Sequence, residues 1–500
     1  MRTLAVVGGG VIGLSIAWRA AESGWTVTLF DPAIGAGASW VAGGMLAPLS
    51  EGWPGEDAAL EFGAASLARW PAFAARLTAV TGIELFTARE TLTVALDSAD
   101  AADLRTVADW VNAHELPGFP DATVAAAPDS AVTEGVSLSG GDVIPSSPAA
   151  ATASAATSGT GPRPAPGAIS AATTGQPGPS AEANPPTRDG APAAIGTPGT
   201  ERLRLLDRAG IRAAEPGLGR TVRAGLLAAD EPAVDNRALV AALRSACARA
   251  GVEFRTERIV AEPVAGDVNL AGGRATATAE NSARGVDFAR GPDAAGAGVT
   301  PGALVLRELP HDRIVLAAGA ASADLWPGLP VRPVKGEILR LRRRPSAPPQ
   351  PRHVIRARVH GRPIYLVPRG DGIVLGATQY EAGFDTAVTV AGVRDLITDA
   401  EAIFPGIGEY EFAEATAGSR PGSPDNLPLI GYLDERVIAA TGHGRNGILG
   451  VPVTADAVVE LLAGSVLPAA RAADPGRFTR SGTQSPRSVP SAPIHPGGTR

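Results

Sequence analysis

The chain has 500 residues, 45% of them hydrophobic, and a formal net charge of −7. This charge gives no indication of the basic surface on which nucleic-acid binding depends, so no nucleic-acid partner is expected. The single cysteine, Cys247, excludes an internal disulfide and a cysteine-based metal site, so no metal is expected, and it fits a reducing cytoplasm. No unbroken apolar stretch reaches 18 residues, so no membrane span is expected.

The N-terminal segment predicts a strand–helix–strand unit. Residues 4–7 are an apolar strand, 8–13 a glycine turn and 11–23 a segment of helical periodicity. A second apolar strand, 26–30, ends at Asp31. The glycines interrupt the apolar run, which argues against a cleaved leader. Such a connection implies a parallel sheet.

The glycine turn has the dinucleotide-binding pattern Gly8-x-Gly10-x-x-Gly13. Gly8 permits the tight turn, Gly10 lets a pyrophosphate approach, and Gly13 lets helix and strand pack. The helix N-terminus offers N–H groups to phosphate, and Asp31 would accept hydrogen bonds from a ribose. A purely structural glycine turn is the alternative.

Periodic segments further along predict helices and strands up to residue 463. Helices are expected over 58–80, 101–114, from Asp235 to 250, and at the C-terminal end up to 463. Strands are expected at 91–96, 252–254, 313–316, 337–342, 364–367, 373–376 and 437–440.

Low-complexity tracts interrupt these elements. They cover 139–204, 272–301 and the tail 466–500, and are rich in Ala, Ser, Thr, Pro and Gly. Such segments cannot bury enough apolar surface to offset their chain entropy, so we expect them to be disordered.

Two features favour FAD over NAD as the nucleotide. Residues 314–319 are an apolar strand followed by Ala-Ala-Gly, similar to a second signature of two-domain flavoproteins. The glycine-rich segment 442–447 opens the last helix, whose positive end could stabilise negative charge on reduced flavin.

Six short motifs occur in an order that resembles the FAD-dependent D-amino-acid oxidase superfamily, and within it the glycine oxidases of thiamine biosynthesis. The resemblance extends from Met1 to about residue 463, outside the low-complexity tracts. The motifs lie at 38–46, 334–337, 365–369, 376–378, 419–422 and 442–448.

The resemblance implies an α/β fold with a discontinuous FAD-binding, Rossmann-like parallel-sheet domain and a mainly antiparallel α+β substrate domain, interrupted by disordered inserts. The FAD-binding domain would comprise 1–80, 205–330 and 415–465, and the substrate domain 81–138 and 331–414.

The resemblance also implies which residues contact FAD. No cysteine lies near Arg420, so FAD would be bound non-covalently. Val260 would offer a backbone contact to adenine. The implied cofactor-binding residues are Gly8, Gly10, Val11, Ile12, Gly13, Asp31, Pro32, Ala38, Ser39, Gly43, Gly44, Met45, Val260, His443, Gly444, Arg445, Asn446, Gly447, Ile448 and Leu449.

By the same resemblance, Tyr365, Arg420 and Arg445 are the catalytic and substrate-binding residues, and Gln379 is a further pocket residue. A planar guanidinium binds a carboxylate best, because it donates two parallel hydrogen bonds. Arg420, in a loop stiffened by Pro and Gly, suits this role; the alternative is an arginine in a solvated turn. Tyr365 could add a phenol hydrogen bond or pack in the core, and Arg445 could contact substrate or flavin, or only hold its loop. Gln379 stands where the glycine oxidase pattern has methionine, which would change pocket polarity.

Three other residues keep open interpretations. Met45, the only methionine after the first, lies over the flavin or fills the core. Lys335 is the only lysine, and an ordinary strand-edge charge is favoured over a role at the pocket rim. His443 either titrates near the flavin or is structural.

We therefore predict oxidation of glycine, or of sarcosine or small D-amino acids, to the imine and then the 2-oxo acid. Molecular oxygen would accept the electrons to give hydrogen peroxide, and the imine would feed thiazole synthesis for thiamine. Partners are a small amino acid and oxygen, in the cytoplasm, and a homo-oligomer is left open. The alternatives are a D-amino-acid dehydrogenase with another electron acceptor and a non-catalytic flavin-binding protein.

Overall fold

In the computed structural model, residues 1–116, 201–261 and 303–478 are described, and they contain ten α-helices and eighteen strands. The helices are α1 (Val11–Glu22), α2 (Ala38–Val41), α3 (Asp57–Leu67), α4 (Trp70–Thr81), α5 (Ser98–Ala113), α6 (Arg208–Ala214), α7 (Asn236–Arg249), α8 (Ser322–Leu325), α9 (Val390–Ile403) and α10 (Val451–Ala463). The strands are β1 (Thr3–Val7), β2 (Thr26–Phe30), β3 (Phe86–Ala88), β4 (Thr91–Ala95), β5 (Leu203–Leu206), β6 (Ala224–Ala228), β7 (Ala233–Val234), β8 (Glu253–Arg255), β9 (Ile259–Val260), β10 (Leu304–Val305), β11 (Arg313–Leu316), β12 (Arg332–Arg342), β13 (Val354–Val359), β14 (Arg362–Arg369), β15 (Gly372–Gly376), β16 (Glu411–Gly422), β17 (Leu429–Tyr432) and β18 (Val437–Thr441).

A six-stranded sheet has the order β17-β18-β11-β1-β2-β8 and is parallel except for β17. α1 crosses from β1 to β2 and packs between α7 and α10. Its apolar stripe, including Leu14 and Trp18, is fully buried in this core. The predicted strand–helix–strand start is confirmed, and β18, from the segment 415–465 expected in the FAD-binding domain, lies in the same sheet.

An eight-stranded sheet has the order β16-β12-β15-β14-β13-β4-β6-β5. It is antiparallel except for the pairing of β4 with β13. α9 packs against it, and Leu339, Leu366 and Leu396 lie in the buried cluster between them. β16 also contacts α2 and the short turns that follow β11 and β18, so the two sheets meet beside the glycine turn.

Strand membership differs from the predicted segments in two places. β5 begins at Leu203, within the predicted 139–204 insert, and pairs with β6 in the eight-stranded sheet. β16 runs to Gly422 in that same sheet, although 415–465 was assigned to the parallel one. A strand's own sequence does not identify its partner, because pairing joins residues far apart along the chain. The domain boundaries themselves stay a prediction.

Two further predictions about elements were wrong. The helix expected over 58–80 is two helices, α3 and α4, because Pro71 lies in the first turn of α4, where a missing N–H is tolerated. The tail is ordered as far as residue 478: Ala470 and Ala473 are buried in short 3₁₀ turns against β17.

The rest of the three low-complexity tracts lies outside the described residues. None of the helices in the described ranges is long and apolar enough to cross a lipid bilayer.

Candidate active site

The glycine turn between β1 and α1 has a conformation that requires glycine at two positions. Gly8 has φ +112°, and a β-carbon there would lie 2.5 Å from the carbonyl carbon of Ala317. A β-carbon on Gly13 would collide with the carbonyl oxygen of Gly8. Gly10 is the N-cap of α1 and has no capping side chain, so the helix N-terminus is open to a ligand.

Asp31 and Ser39 shape this end of α1. Asp31 accepts hydrogen bonds from the backbone N–H of Gly9 (2.6 Å) and of Ala33 (2.7 Å), so it fixes the turn from the end of β2. The Ser39 hydroxyl accepts from the N–H of Val11 at 3.0 Å. The remaining first-turn N–H groups of α1 have no intrahelical acceptor, which suits a pyrophosphate.

The segment after α2 carries two buried glycines. Gly44 has φ +83°, and a β-carbon there would overlap the carbonyl oxygen of Val234, whose N–H donates to the Gly44 carbonyl at 2.8 Å. Arg369 donates to the Gly43 carbonyl at 2.7 Å. Met45 is half-buried on the same small cluster as Tyr365, so both of its interpretations stay open.

Tyr365 on β14 is held between two glycines. A β-carbon on Gly43 would lie 2.8 Å from its ring, and one on Gly376, its partner across β15, would lie 2.5 Å from its hydroxyl oxygen. Burial raises the pKa of this phenol against the opposing charge of Arg420. Tyr365 therefore stays a neutral hydrogen-bond donor beside Arg420.

Arg420 lies inside β16, opposite Val334 of β12, and not in a turn as predicted. β16 is an edge strand and can therefore accommodate Pro421. The N–H that proline lacks would not be needed for hydrogen bonds between inner strands of the sheet. The Arg420 guanidinium lies against Gly336 and donates to the carbonyl of Thr378 at 3.2 Å. Among the described residues, no carboxylate lies within 4.0 Å of this guanidinium, so it can bind one from a ligand.

Arg445 lies in an ion pair that the sequence did not indicate. Its Nε is 2.6 Å from Oε2 of Glu51, and Nη2 of Arg356 is 2.8 Å from Oε1 of the same carboxylate. Burial raises the pKa of Glu51, but Arg356 and Arg445 together hold it below its ordinary value. Arg445 is thus oriented by Glu51, which supports a loop-holding role and leaves its predicted substrate contact a prediction.

The segment that carries Glu51 is itself fixed by a second carboxyl, Glu231. Glu231 is fully buried and accepts hydrogen bonds from the N–H of Leu49, the N–H of Ser50 (2.9 Å) and the Ser50 hydroxyl. Burial raises its pKa to about 7, against the hydrogen bonds from Ser50 and the charge of Arg356. Neither glutamate stands in a recognisable motif, so no sequence signal pointed to them.

The loop between β18 and α10 holds the predicted cofactor-binding residues 443–449. His443 is buried, lies 2.9 Å from the Thr454 hydroxyl and has its pKa lowered to about 3 by burial, so it is neutral at physiological pH. Of its two interpretations, the structural one fits. Residues Gly444–Asn446 form a 3₁₀ turn, and the Leu449 carbonyl accepts from Ser66 and Trp70, which fixes the loop against α3 and α4.

Other predicted residues lie at the margins of this arrangement. Val260 is in β9, and its neighbour Ile259 packs in the same buried cluster as Phe30, the residue before Asp31. Pro32 is exposed immediately after Asp31. Gln379 is exposed and makes no side-chain hydrogen bond or ion pair within the described chain. The cofactor and substrate roles of all these residues remain predictions.

The family described as FAD dependent oxidoreductase matches residues 3–160 and 164–461. The chain belongs to this family. Its cofactor is FAD. The N-terminus of α1, where Gly8 and Gly13 leave no room for a β-carbon, fits that nucleotide.

Individual relatives agree with the family assignment. The chain is similar to the bifunctional protein ThiO/ThiG of Synechocystis sp., with 34% identity over 55% of this chain and 37% of that protein. It is also similar to a glycine oxidase of Pseudomonas aeruginosa, with 34% identity over 31% of this chain and 43% of that protein. The chain thus spans less than half the length of these relatives. The crystal structure of glycine oxidase from Geobacillus kaustophilus has the same fold, with TM-score 0.63, 23% identity and coverage of 95% of this chain and 98% of that one.

Proposed function

We propose that this protein oxidises glycine or another small amino acid to the imine, which water hydrolyses to the 2-oxo acid with release of ammonia, and that oxygen is reduced to hydrogen peroxide. The observation that carries the proposal is Arg420. Its guanidinium is half-buried, has no carboxylate partner in the described chain and lies beside the phenol of Tyr365. A guanidinium and a phenol in this arrangement form a receptor for a carboxylate.

The residues of the site have the task of orienting the substrate. Arg420 would bind the carboxylate through two N–H groups, and Tyr365 would donate a third hydrogen bond. With the carboxylate fixed, the position of Cα is restricted. Holding this reacting carbon in place is how the protein accelerates the reaction. When bound, FAD supplies the acceptor for the two electrons that leave the Cα–H bond.

The electrostatics around the site favour binding of an anion. Arg356 and Arg445 share the one carboxylate of Glu51, so this trio carries a net positive charge next to Arg420. A neutral phenol at Tyr365 adds no opposing charge. This balance supports a substrate with a free carboxylate over a simple amine.

The relatives support the choice of amino acid and of pathway. A glycine oxidase is among the proteins at 34% identity, and the bifunctional ThiO/ThiG protein supports a place in thiamine synthesis. We propose accordingly that the imine product feeds formation of the thiazole ring.

A peroxide-coupled screen tests the proposal. Purified protein with bound FAD is assayed against glycine, sarcosine and a series of D-amino acids from alanine to phenylalanine. We expect turnover with glycine and the smallest amino acids of the series. A strong preference for large D-amino acids would contradict the choice of glycine, and no turnover with any amine would favour a flavin-binding protein without catalysis.

Stopped-flow spectroscopy separates an oxidase from a dehydrogenase. The flavin is first reduced with glycine in the absence of air, and oxygenated buffer is then added. Reoxidation fast enough to sustain turnover is expected. Slow reoxidation with oxygen, but fast reoxidation with an added quinone, would assign the electrons to another acceptor.

A further inference from the structure

Lys335 is the only lysine of the chain. Histidines aside, all its other basic residues are arginines. It lies in the middle of β12 and is 1% exposed, which is rare for a lysine without a specific partner. The favoured sequence interpretation, an ordinary strand-edge charge, is therefore at odds with its burial.

The ammonium of Lys335 faces three acceptors. Its Nζ lies 2.6 Å from Oδ2 of Asp385, donates to the carbonyl of Ala387, and lies 3.6 Å from Oε1 of Glu337. An ammonium has three N–H groups around one small centre, whereas a guanidinium is a planar fork. The site thus suits a lysine in a chain that otherwise uses arginine.

Glu337, two residues along β12, is fully buried and holds the same segment of chain. It accepts from the N–H of Thr389 at 2.8 Å and from the Thr378 hydroxyl at 3.3 Å. Main-chain hydrogen bonds also join Lys335 and Tyr380 in both directions. We call residues 378–389 the 378–389 loop. Glu337 holds its two ends, and Lys335 holds it in between through Asp385 and Ala387.

The other face of β12 carries the guanidinium of Arg420. Successive side chains on a strand point to opposite faces, so Gly336 lies opposite its two charged neighbours. The guanidinium of Arg420 rests on Gly336 and donates to the carbonyl of Thr378, the first residue of the 378–389 loop. Three contacts, Lys335 to Glu337, Glu337 to Thr378 and Thr378 to Arg420, thus connect the buried ammonium to the guanidinium.

We propose that Lys335 is a positioning residue: its ammonium anchors the 378–389 loop so that the Thr378 carbonyl orients Arg420 toward the substrate carboxylate. The carboxylate part of this inference rests on the proposed function, whereas the anchoring of the loop does not. Without the ammonium, the carboxyls of Glu337 and Asp385 lose their shared cation and the loop loses its central attachment.

The test uses the FAD-bound full chain with Lys335→Met, which keeps the length of the side chain and removes the charge. The control is Arg332→Gln, which removes an exposed ion pair of 3.2 Å between β12 and Glu381 of the same loop. Three measurements are made: amide hydrogen exchange of 378–389, steady-state kinetics that give KM and kcat for glycine, and a titration that gives the Kd of acetate from the change in the flavin spectrum. Acetate is the carboxylate of glycine without its amine.

In Lys335→Met we expect faster exchange in the loop, with KM for glycine and Kd for acetate raised by about tenfold, the effect of weakening one charge-assisted hydrogen bond. FAD content stays the same and kcat changes much less than KM. Arg332→Gln leaves all of these values close to wild type. Lys335→Arg does not restore the Kd of acetate, because its fork cannot occupy the position of a compact ammonium.

A looser loop with unchanged acetate affinity would overturn the proposal and leave Lys335 a structural residue. If Lys335→Met does not fold, Asp385→Asn, at a half-exposed acceptor, takes its place. It should raise the Kd of acetate in the same direction, and an unchanged Kd would equally overturn the proposal. Wild-type protein that binds acetate but oxidises no amino acid would contradict the proposed function alone.

Discussion

The guanidinium of Arg420 lies directly on Gly336, so that a β-carbon at 336 would be 2.5 Å from Cζ of the arginine. The two residues belong to neighbouring antiparallel strands, β16 and β12. Glycine is needed here because no other residue leaves room for the guanidinium above the strand.

This contact predicts the effect of Gly336→Ala. The added methyl group displaces the guanidinium, so KM for glycine should rise by about tenfold or more, as for loss of one charge-assisted hydrogen bond. FAD content should be unchanged, as measured by absorbance of the purified protein. Gly370→Ala is a suitable control, because a β-carbon there has no neighbour within 4 Å.

Removing the guanidinium should have a larger effect than displacing it. We expect Arg420→Ala to raise KM for glycine by about a hundredfold, since two charge-assisted hydrogen bonds to the carboxylate are lost. FAD should stay bound. Arg342→Ala, which removes an exposed arginine of β12, serves as control and should leave KM unchanged. An unchanged KM in Arg420→Ala would leave Arg420 without a part in substrate binding.

Gly13→Ala should interfere with the cofactor instead of the substrate. A β-carbon at 13 would collide with the Gly8 carbonyl, so α1 must move away from the turn that is predicted to receive the nucleotide. The expected result is a purified protein that has lost most of its FAD and regains little when FAD is added. Full FAD occupancy in this variant would contradict the role of the turn. Gly370→Ala again provides the matched glycine control.

Glu231 should make stability fall as pH rises through the neutral range. Its pKa is about 7 in the fold against an ordinary value of 4.5. Below pH 4.5 the Glu231 carboxyl is protonated in both the folded and the unfolded state. Between pH 4.5 and 7 it ionises in the unfolded chain only, so the free energy of unfolding falls by on the order of 3 kcal/mol. Urea unfolding at pH 5 and 8 should show a smaller loss in Glu231→Gln than in wild type. Parallel losses would place the folded pKa near 4.5.

His443 should act in the opposite direction. Its pKa is about 3 in the fold and ordinarily 6.5, so the unfolded chain gains a proton below pH 6.5 while the folded chain does not. Stability is therefore lost as pH falls, by about 2 kcal/mol at pH 5. His443→Gln cannot titrate and should lose less stability than wild type between pH 7 and 5. Equal losses in the two proteins would show that the imidazole is protonated in the fold.

The amino-acid sequence was sufficient for the nucleotide-binding end of the molecule. The glycine pattern, the helix that follows it and Asp31 at the end of the next strand are neighbours along the chain. Their conformations depend on backbone sterics and local hydrogen bonds, which short patterns encode. Motifs that resemble a family predicted Tyr365, Arg420 and Arg445 as site residues. β16 shows the weakness of local signals, since Pro421 and Gly422 suggested a turn where an edge strand runs.

Only the tertiary structure decided how the charged groups are paired. Glu51 meets Arg356 and Arg445, and Lys335 meets Asp385 across a loop, through contacts that span from 50 to almost 400 positions of the chain. Such pairs depend on which strands become neighbours and on how much water burial removes, and neither quantity is local. The sequence by itself predicted a nucleotide-binding turn; the fold determined that Arg420, among many arginines, lacks a carboxylate partner within the described residues.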